Sequence, residues 1–129
     1  MIKVSIIGAT GYTGSELLRY LIPHQEVELV HLTSRSHVDT EVDVYYPFLK
    51  GSIDKQFTEL EPEKLFNDSD VVFICLPHGH SMELASTASA YDVKVIDLGA
   101  DFRLKNIDVY EQTYNVEQAA PNLLKDFVY

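Results

Sequence analysis

The sequence predicts an α/β domain built on a parallel sheet with helices on both of its faces. Two observations support this prediction. First, short apolar runs rich in β-branched residues recur and end in turn-forming or small polar residues, namely Ile2–Ile7, Val27–Thr33, Val71–Leu76 and Val93–Leu98. Second, helical patterns separate the first run from the second and the third from the fourth. Because a parallel partner strand can be reached only by a long connection over one face of the sheet, this alternation favours right-handed crossovers.

The first predicted helix follows the first strand and is amphipathic. Its apolar residues recur at helical spacing and share one face, and they are Leu17, Leu18, Leu21 and Ile22. Pro23 ends the helix because proline cannot continue its hydrogen bonds. Thr13 and Glu16 have the spacing of a capping box, in which two side chains satisfy free amides of the first turn. We therefore expect the helix to begin at this box.

The chain between the second and third strands is less regular. Over Asp39–Asn67 we expect an aromatic loop at Tyr45–Leu49, a short extra strand at Gln56–Leu60 and a helical turn at Pro62–Phe66. No internal repeat or low-complexity linker marks a second domain.

A second regular helix is predicted from Ser81 to about Tyr91. Ser81 is the expected N-cap, and Glu83 lies in the first turn, where a negative charge is favourable. The chain closes on an apolar, strand-like run, Leu123–Tyr129. Natural termini are usually polar and frayed, so we expect the chain to be part of a larger protein.

Composition restricts the class of protein. The 129 residues suffice for one folded core, and an apolar fraction of 46% argues against disorder. A formal charge of −10 without a basic stripe argues against nucleic acid as a partner. The single cysteine rules out an internal disulfide. Neither a secretory signal nor an apolar stretch of the ~20 residues that span a bilayer is found, so we expect a cytoplasmic domain without a membrane partner.

Three regularly spaced glycines lie between the first strand and the first helix. Glycines in this place permit a sharp turn, let a phosphate approach the backbone and let helix and strand pack closely. The amides at the helix start then face an anion. A mononucleotide P-loop needs a lysine after its last glycine, and this chain has none there. The segment therefore predicts a Rossmann-type dinucleotide site, and the residues expected to bind the cofactor are Gly8, Thr10, Gly11, Tyr12, Thr13 and Gly14.

The end of the second strand distinguishes the two nicotinamide cofactors. NAD enzymes usually place a carboxylate there for the ribose hydroxyls, whereas NADP enzymes place a cation for the 2′-phosphate. This chain has Ser34, Arg35 and Ser36, a planar guanidinium fork between two hydroxyl donors. The sequence therefore predicts NADP(H) as the cofactor.

A polar loop follows the third strand, at the sheet edge where ligands bind in folds of this kind. The loop residues expected to border the cofactor are Leu76, Pro77, His78 and Gly79. His78 and His80 lack a third ligand at matching spacing, so no metal is expected. Cys75 lies in a strand without a neighbouring cation, which predicts a structural thiol with a raised pKa.

Four stretches along the chain are similar to a known family. They are Gly8–Leu17, Thr33–Arg35, Leu76–Gly79 with Ser81, and Val95–Leu104. In this order they resemble the amino-terminal part of the N-acetyl-gamma-glutamyl-phosphate reductase family, a relative of aspartate-semialdehyde dehydrogenase. The resemblance covers the whole chain. It implies that residues 1–129 are the NADP(H)-binding Rossmann domain of a two-domain, homo-oligomeric enzyme of arginine biosynthesis, with the 2′-phosphate near Ser34 and Arg35.

The resemblance also implies the chemistry. In the family a cysteine attacks the acyl phosphate, phosphate leaves, hydride reduces the thioester, and N-acetylglutamate semialdehyde is released. The nucleophile belongs to a Pro-Gly-Cys motif and the catalytic histidine lies later; this chain contains neither, so no catalytic residue is assigned. Asp97, Asp101 and Arg103 follow the fourth strand and either shape the cleft or fix a turn through an ion pair. The residues do not separate a glutamyl substrate from its longer aminoadipyl homologue.

Two other functions compete with this interpretation. A stand-alone regulatory module that binds NADPH would have no need of a nucleophile. A short-chain dehydrogenase would need a Tyr-x-x-x-Lys pair, and Tyr46 and Lys50 have that spacing. Pro47 intervenes, however, and the pair follows the second strand instead of the later helix where such a pair works.

Overall fold

The chain folds around one four-stranded parallel sheet, as the sequence predicts. The computed structural model describes all residues from 1 to 129. The strands lie in the order β2-β1-β3-β4, and every neighbouring pair is parallel. Their bounds are β1 Ile2–Ile7, β2 Val27–Leu32, β3 Val71–Ile74 and β4 Lys94–Asp97. The first strand has its predicted bounds, and the other three end one or two residues earlier than expected.

Five helices accompany the sheet. They are α1 Tyr12–Leu21, α2 Val42–Tyr45, α3 Pro62–Asp68, α4 Met82–Ala88 and α5 Ile107–Tyr114, with 3-10 turns at Pro47–Leu49 and Pro121–Leu123. None of the helices is long and apolar enough to cross a membrane.

The sheet is covered on both faces, because successive side chains of a strand point to opposite sides. On one side of β1, Val4 and Ile6 pack in a cluster with Leu18 of α1. On the other side, Ile7 packs in a second cluster with residues of α3 and with Leu84 of α4. This placement follows from right-handed crossovers that run in opposite directions from β1 and β3. The predicted two-faced α/β arrangement is confirmed.

The capping box predicted for the first helix is wrong. Helix α1 begins at Tyr12 with Gly11 as its N-cap residue, and no side chain caps it. Thr13 is therefore already inside the helix and exposed, and Glu16 instead forms an ion pair with Arg19 at 3.1 Å. The backbone leaves the glycine turn in an extended conformation at Gly11, so the cap lies two residues before the threonine.

The segment between β2 and β3 differs from the prediction in two places. The expected aromatic loop is largely helical, since α2 ends at Tyr45 and a 3-10 turn follows. The expected extra strand at Gln56–Leu60 is reduced to two isolated bridges, one parallel between Thr33 and Thr58 and one antiparallel between Glu41 and Gln56. Neighbouring residues of this segment pair with two different parts of the chain and in opposite directions, so the segment forms no continuous ladder with either. The helical turn at Pro62–Phe66 is confirmed as part of α3.

The last third of the chain contains features that the sequence did not indicate. Ser81 occupies the N-cap of α4, but its hydroxyl donates to Asp97 Oδ1 at 2.8 Å instead of accepting from the helix. The strand expected at Leu123–Tyr129 is absent. Leu123, Leu124 and Phe127 instead pack in the third apolar cluster, whereas Val128 and Tyr129 are exposed. Phe127 stacks on Phe102 with centroids 4.1 Å apart. Helix α5 was not predicted, and it places Tyr110 in the third apolar cluster.

Candidate functional site

The first glycine of the turn makes a contact that no side chain would permit. Gly8 follows β1 with a φ of +81°, a left-handed conformation that favours glycine. A Cβ on Gly8 would lie 2.6 Å from the Cys75 carbonyl oxygen and 2.9 Å from Leu76 Cδ2. The backbones after β1 and β3 therefore touch here. This is the point at which the chain order of the sheet reverses, where α/β folds of this type form their ligand crevice.

The other two glycines have different roles. A Cβ on Gly14 would lie 2.6 Å from the carbonyl oxygen of Ala9, so glycine allows α1 to pack directly on the turn. A Cβ on Gly11 would meet only the Gly8 carbonyl oxygen, at an ordinary 3.8 Å. No internal contact requires glycine at this exposed position. Its missing side chain leaves the backbone open to a molecule outside the chain.

The end of β2 is joined to the turn by a network of hydroxyl groups. Thr33 Oγ1 accepts from the Gly8 amide at 3.3 Å, and the Thr33 carbonyl oxygen accepts from the Ala9 amide at 2.9 Å. Ser34 is buried; its hydroxyl lies 3.2 Å from Thr10 Oγ1 and accepts from the His37 amide. Ser34 therefore organises the turn, a role that the sequence did not reveal.

Arg35 follows this network with an exposed side chain. It takes part in none of the three salt bridges of the chain. Ser36 beside it is also exposed. A guanidinium without a carboxylate partner retains all five of its donors for an anion.

A cleft of about 380 Å³ connects the ends of β1, β2 and β3. Its lining residues are Ile7, Gly8, Thr33, Ser34, Arg35, Val38, Glu59, Leu60 and Leu76. Gly8, Ser34, Arg35 and Leu76 are the predicted site residues among them. Glu59 and Leu60 were missed, because only the bridge between Thr33 and Thr58 brings this part of the chain beside β2.

A second, more open depression of about 270 Å³ lies at the start of α1. The residues that line it are Thr10, Gly11, Tyr12, Ser15, Tyr45 and Tyr46. The first three were predicted site residues, and the other three were not. The remaining predicted residues line neither space, and they are Thr13, Gly14, Ser36, Pro77, His78 and Gly79.

A buried carboxylate holds the loop after β3. Asp101 is fully buried and accepts from the Gly79 amide at 2.6 Å and from the Ser81 amide at 2.9 Å. The Tyr110 hydroxyl of α5 donates to the same carboxylate at 2.8 Å. These bonds place Pro77, His78 and Gly79 on the surface beside the cleft. Asp101 thus fixes the loop through amide and hydroxyl donors and forms no ion pair.

Asp97 and Arg103 also form no ion pair with each other. Asp97 Oδ1 accepts from the Ser81 hydroxyl and, at 2.9 Å, from the Gly99 amide. Burial raises the pKa of Asp97 above its usual range, although these two hydrogen bonds oppose the shift. The Arg103 guanidinium donates to the Gly99 carbonyl oxygen at 3.4 Å and lies 5.4 Å from the ring centroid of Tyr129. The predicted alternative of a turn fixed by an ion pair is therefore wrong.

Cys75 has the environment of a structural thiol. Burial, and then the negative charge of Asp97, raise its pKa to about 12. A thiol with this pKa is protonated at neutral pH and is a poor nucleophile. No three His, Cys, Asp or Glu side chains lie close enough together to hold a metal ion.

Comparison with known proteins agrees with this geometry. Residues 3–128 match the family described as semialdehyde dehydrogenase, NAD binding domain. The N-acetyl-gamma-glutamyl-phosphate reductase of Desulforudis audaxviator is 50% identical over 129 residues, and that of Heliobacterium modesticaldum is 47% identical over 129 residues. Each match covers all of this chain and 37% of the relative. The chain therefore spans well under half the length of these relatives.

Solved structures show the same fold at lower identity. Aspartate semialdehyde dehydrogenase with NADP from Candida albicans matches with a TM-score of 0.67 and 21% identity, over 83% of this chain and 32% of that one. Aspartate semialdehyde dehydrogenase II from Vibrio cholerae matches with a TM-score of 0.59 and 18% identity, over 91% of this chain and 37% of that one. Three findings indicate the same kind of domain: the glycine turn, the crevice at the reversal of strand order, and the family match over residues 3–128. The chain belongs to the semialdehyde dehydrogenase family, as a dinucleotide-binding domain.

Proposed function

We propose that this chain binds NADP(H) as the cofactor domain of an N-acetyl-gamma-glutamyl-phosphate reductase. The observation that carries the proposal is the position of Arg35, an unpaired guanidinium on the same cleft as the glycine turn. The relatives at 47% and 50% identity, which bear that enzyme name, support the choice of reaction. They also favour the glutamyl substrate over the aminoadipyl one.

The residues present fit a dinucleotide. The missing side chain of Gly11 leaves the start of α1 open, and the first amides of a helix have no partner within it. These amides and the positive end of the helix would hold the pyrophosphate. Leu76 and the exposed loop through Gly79 would border the cofactor beyond the glycine turn.

Arg35 would hold the 2′-phosphate that distinguishes NADP from NAD. Glu59 lines the same cleft, and its carboxylate repels a phosphate. Removal of Arg35 would therefore leave a net negative lining. A hydrogen bond to a charged group contributes roughly 1.5–3 kcal/mol, so we expect a loss of about 10- to 100-fold in NADPH affinity.

Bound NADPH supplies the hydride that reduces an acyl group to an aldehyde. This chain's part in the reaction is to bind the cofactor, to orient it and to hold the loop after β3 in place through Asp101. Cys75 does not supply the nucleophile, because its pKa of about 12 keeps the thiol protonated. We therefore assign the nucleophile to the part of the enzyme outside these residues.

The cofactor assignment is tested by titration of the chain with NADPH and with NADH. We expect the wild-type chain to prefer NADPH, and Arg35→Ala to weaken NADPH binding about 10- to 100-fold while NADH binding stays the same. Arg19→Ala is the matched control, since Arg19 lies on the exposed face of α1 and pairs with Glu16. Equal affinity of the wild-type chain for both cofactors would contradict the role of Arg35.

The reaction is tested on the full-length protein that contains this chain. We expect phosphate-dependent reduction of NADP⁺ with N-acetylglutamate semialdehyde, which is the reverse of the proposed reaction. The aminoadipyl homologue is the comparison substrate. NADPH binding without turnover of either aldehyde would refute the assigned reaction while leaving the cofactor assignment intact.

A further inference from the structure

Two tyrosine hydroxyls contact the backbone of the glycine turn. We infer that Tyr45 and Tyr46 are positioning residues, which set the direction of the turn amides and thereby its affinity for the pyrophosphate of a dinucleotide. The inference rests on the proposed function. We call these two side chains the tyrosine brace.

The contacts of the tyrosine brace follow the turn residue by residue. The Tyr46 hydroxyl donates to the Ala9 carbonyl oxygen at 2.9 Å and lies 3.3 Å from that of Gly11. The Tyr45 hydroxyl donates to the Thr10 carbonyl oxygen at 3.4 Å. Three consecutive carbonyl groups are therefore directed towards the tyrosines.

Peptide geometry converts carbonyl direction into amide direction. In a planar trans peptide the C=O of one residue points opposite to the N–H of the next, and no peptide bond of this chain is cis. Carbonyls held by Tyr46 at Ala9 and Gly11 therefore direct the amides of Thr10 and Tyr12 away from the brace. Neither amide donates a hydrogen bond to the backbone of the chain. Both amides are therefore available to donate to an anion.

Ring packing fixes the hydroxyls in place. The two tyrosine rings meet edge to face with centroids 4.7 Å apart, and each also packs against Phe57, at 5.5 and 6.2 Å. Phe57 is fully buried in the cluster under α1. Burial, and then the neighbouring Tyr45, raise the pKa of Tyr46 to about 12, so its hydroxyl remains a proton donor at neutral pH.

The experiment removes the hydroxyls and retains the rings. The variants are Tyr46→Phe, Tyr45→Phe and the double variant, with Tyr20→Phe on the exposed face of α1 as the matched control. Three ligands distinguish binding of the pyrophosphate from binding of the 2′-phosphate. NADPH has both groups, ADP-ribose has only the pyrophosphate, and adenosine 2′-phosphate has only the 2′-phosphate. The dissociation constant of each ligand is measured for wild type and for each variant.

The inference predicts a selective loss of affinity. Tyr46→Phe should weaken NADPH and ADP-ribose alike, by about 3- to 10-fold, which corresponds to one neutral hydrogen bond. Affinity for adenosine 2′-phosphate should stay the same, as should every affinity of Tyr20→Phe. If Tyr46→Phe does not fold, Tyr45→Phe replaces it. That variant removes the hydroxyl that holds the Thr10 carbonyl oxygen, between the two peptide planes held by Tyr46, and a smaller loss is expected.

A second measurement needs no ligand. The NMR order parameters of the Thr10 and Tyr12 amides in the free chain should be lower in Tyr46→Phe than in wild type, because the peptide planes lose their anchor. Wild-type binding of NADPH together with unchanged affinities and order parameters in the variants would overturn the inference alone. Equal loss for all three ligands would also overturn it, since that result indicates general destabilisation. Failure of the wild-type chain to bind any dinucleotide would overturn both the inference and the proposed function.

Discussion

Gly14→Ala tests the close packing of α1 on the glycine turn. The added Cβ would lie 2.6 Å from the Ala9 carbonyl oxygen and 2.7 Å from the carbonyl carbon and the Cα of the same residue. Ordinary contact begins near 3.4 Å, so the backbones must separate by about 0.8 Å at this point. All three atoms belong to the backbone, so no side-chain rotation can relieve the overlap.

Two opposing effects set the magnitude. Overpacking of a buried site costs about 1–3 kcal/mol, whereas alanine is about 1 kcal/mol more favourable than glycine within a helix. Because Gly14 lies in the first turn, that helix benefit is partial, and the net loss is about 1–2 kcal/mol. For a chain of this length the loss corresponds to a melting temperature lower by roughly 4–7 °C.

Gly11→Ala is the matched control for the same substitution. Its Cβ would meet nothing closer than 3.8 Å, and its φ of −84° suits alanine. Alanine is a poorer N-cap residue than glycine, so we expect a loss of no more than about 1 kcal/mol, which lowers the melting temperature by less than about 4 °C. The new methyl group would occupy the open side of the turn and weaken NADPH binding. Thermal denaturation and NADPH titration measure both variants. An unchanged melting temperature for Gly14→Ala, or full NADPH affinity in Gly11→Ala, would refute the roles assigned to these glycines.

Further predictions concern the loop anchor and the thiol. Asp101→Asn should lower the free energy of unfolding in urea by about 2–3 kcal/mol. Both oxygens of Asp101 accept hydrogen bonds, so the NH2 group of asparagine would face a donor, from the backbone or from Tyr110, in either orientation of the side chain. The exposed Asp54→Asn should have no effect, and equal stabilities would contradict the anchoring role. Cys75 should react with thiol reagents on the order of 10³-fold more slowly at pH 8 than in the unfolded chain, given its pKa of about 12 against 9.0; similar rates would show that the thiol is not protected. Above pH 9 the unfolded chain loses this proton first, so the free energy of unfolding should fall as the pH rises towards 12, and a flat profile would exclude this contribution.

The sequence alone was sufficient for the features that depend on neighbouring residues. The apolar run of β1 has the bounds expected from its β-branched residues, and Pro62 correctly indicated a helix start. The spacing of Gly8 and Gly14 indicated a turn between strand and helix, and the structure explains both glycines by backbone contacts. The raised pKa of Cys75 also followed from its place in an apolar run without a neighbouring cation. Each of these features is set by local conformation or by burial that a short pattern reveals.

Tertiary structure alone determined the features that join distant segments. Whether Gln56–Leu60 forms a strand depended on its distant partners, since Thr58 pairs with Thr33 in a parallel bridge and Gln56 pairs with Glu41 in an antiparallel one. The anchoring of Gly79 by Asp101 spans 22 residues, and the brace of Ala9 by Tyr46 spans 37. No local pattern records such contacts, because a carboxylate or a tyrosine has the same backbone preferences whichever distant amide or carbonyl it meets. The glycine turn could therefore be predicted from its own residues, whereas the side chains that hold it in place are determined by the tertiary packing of the whole chain.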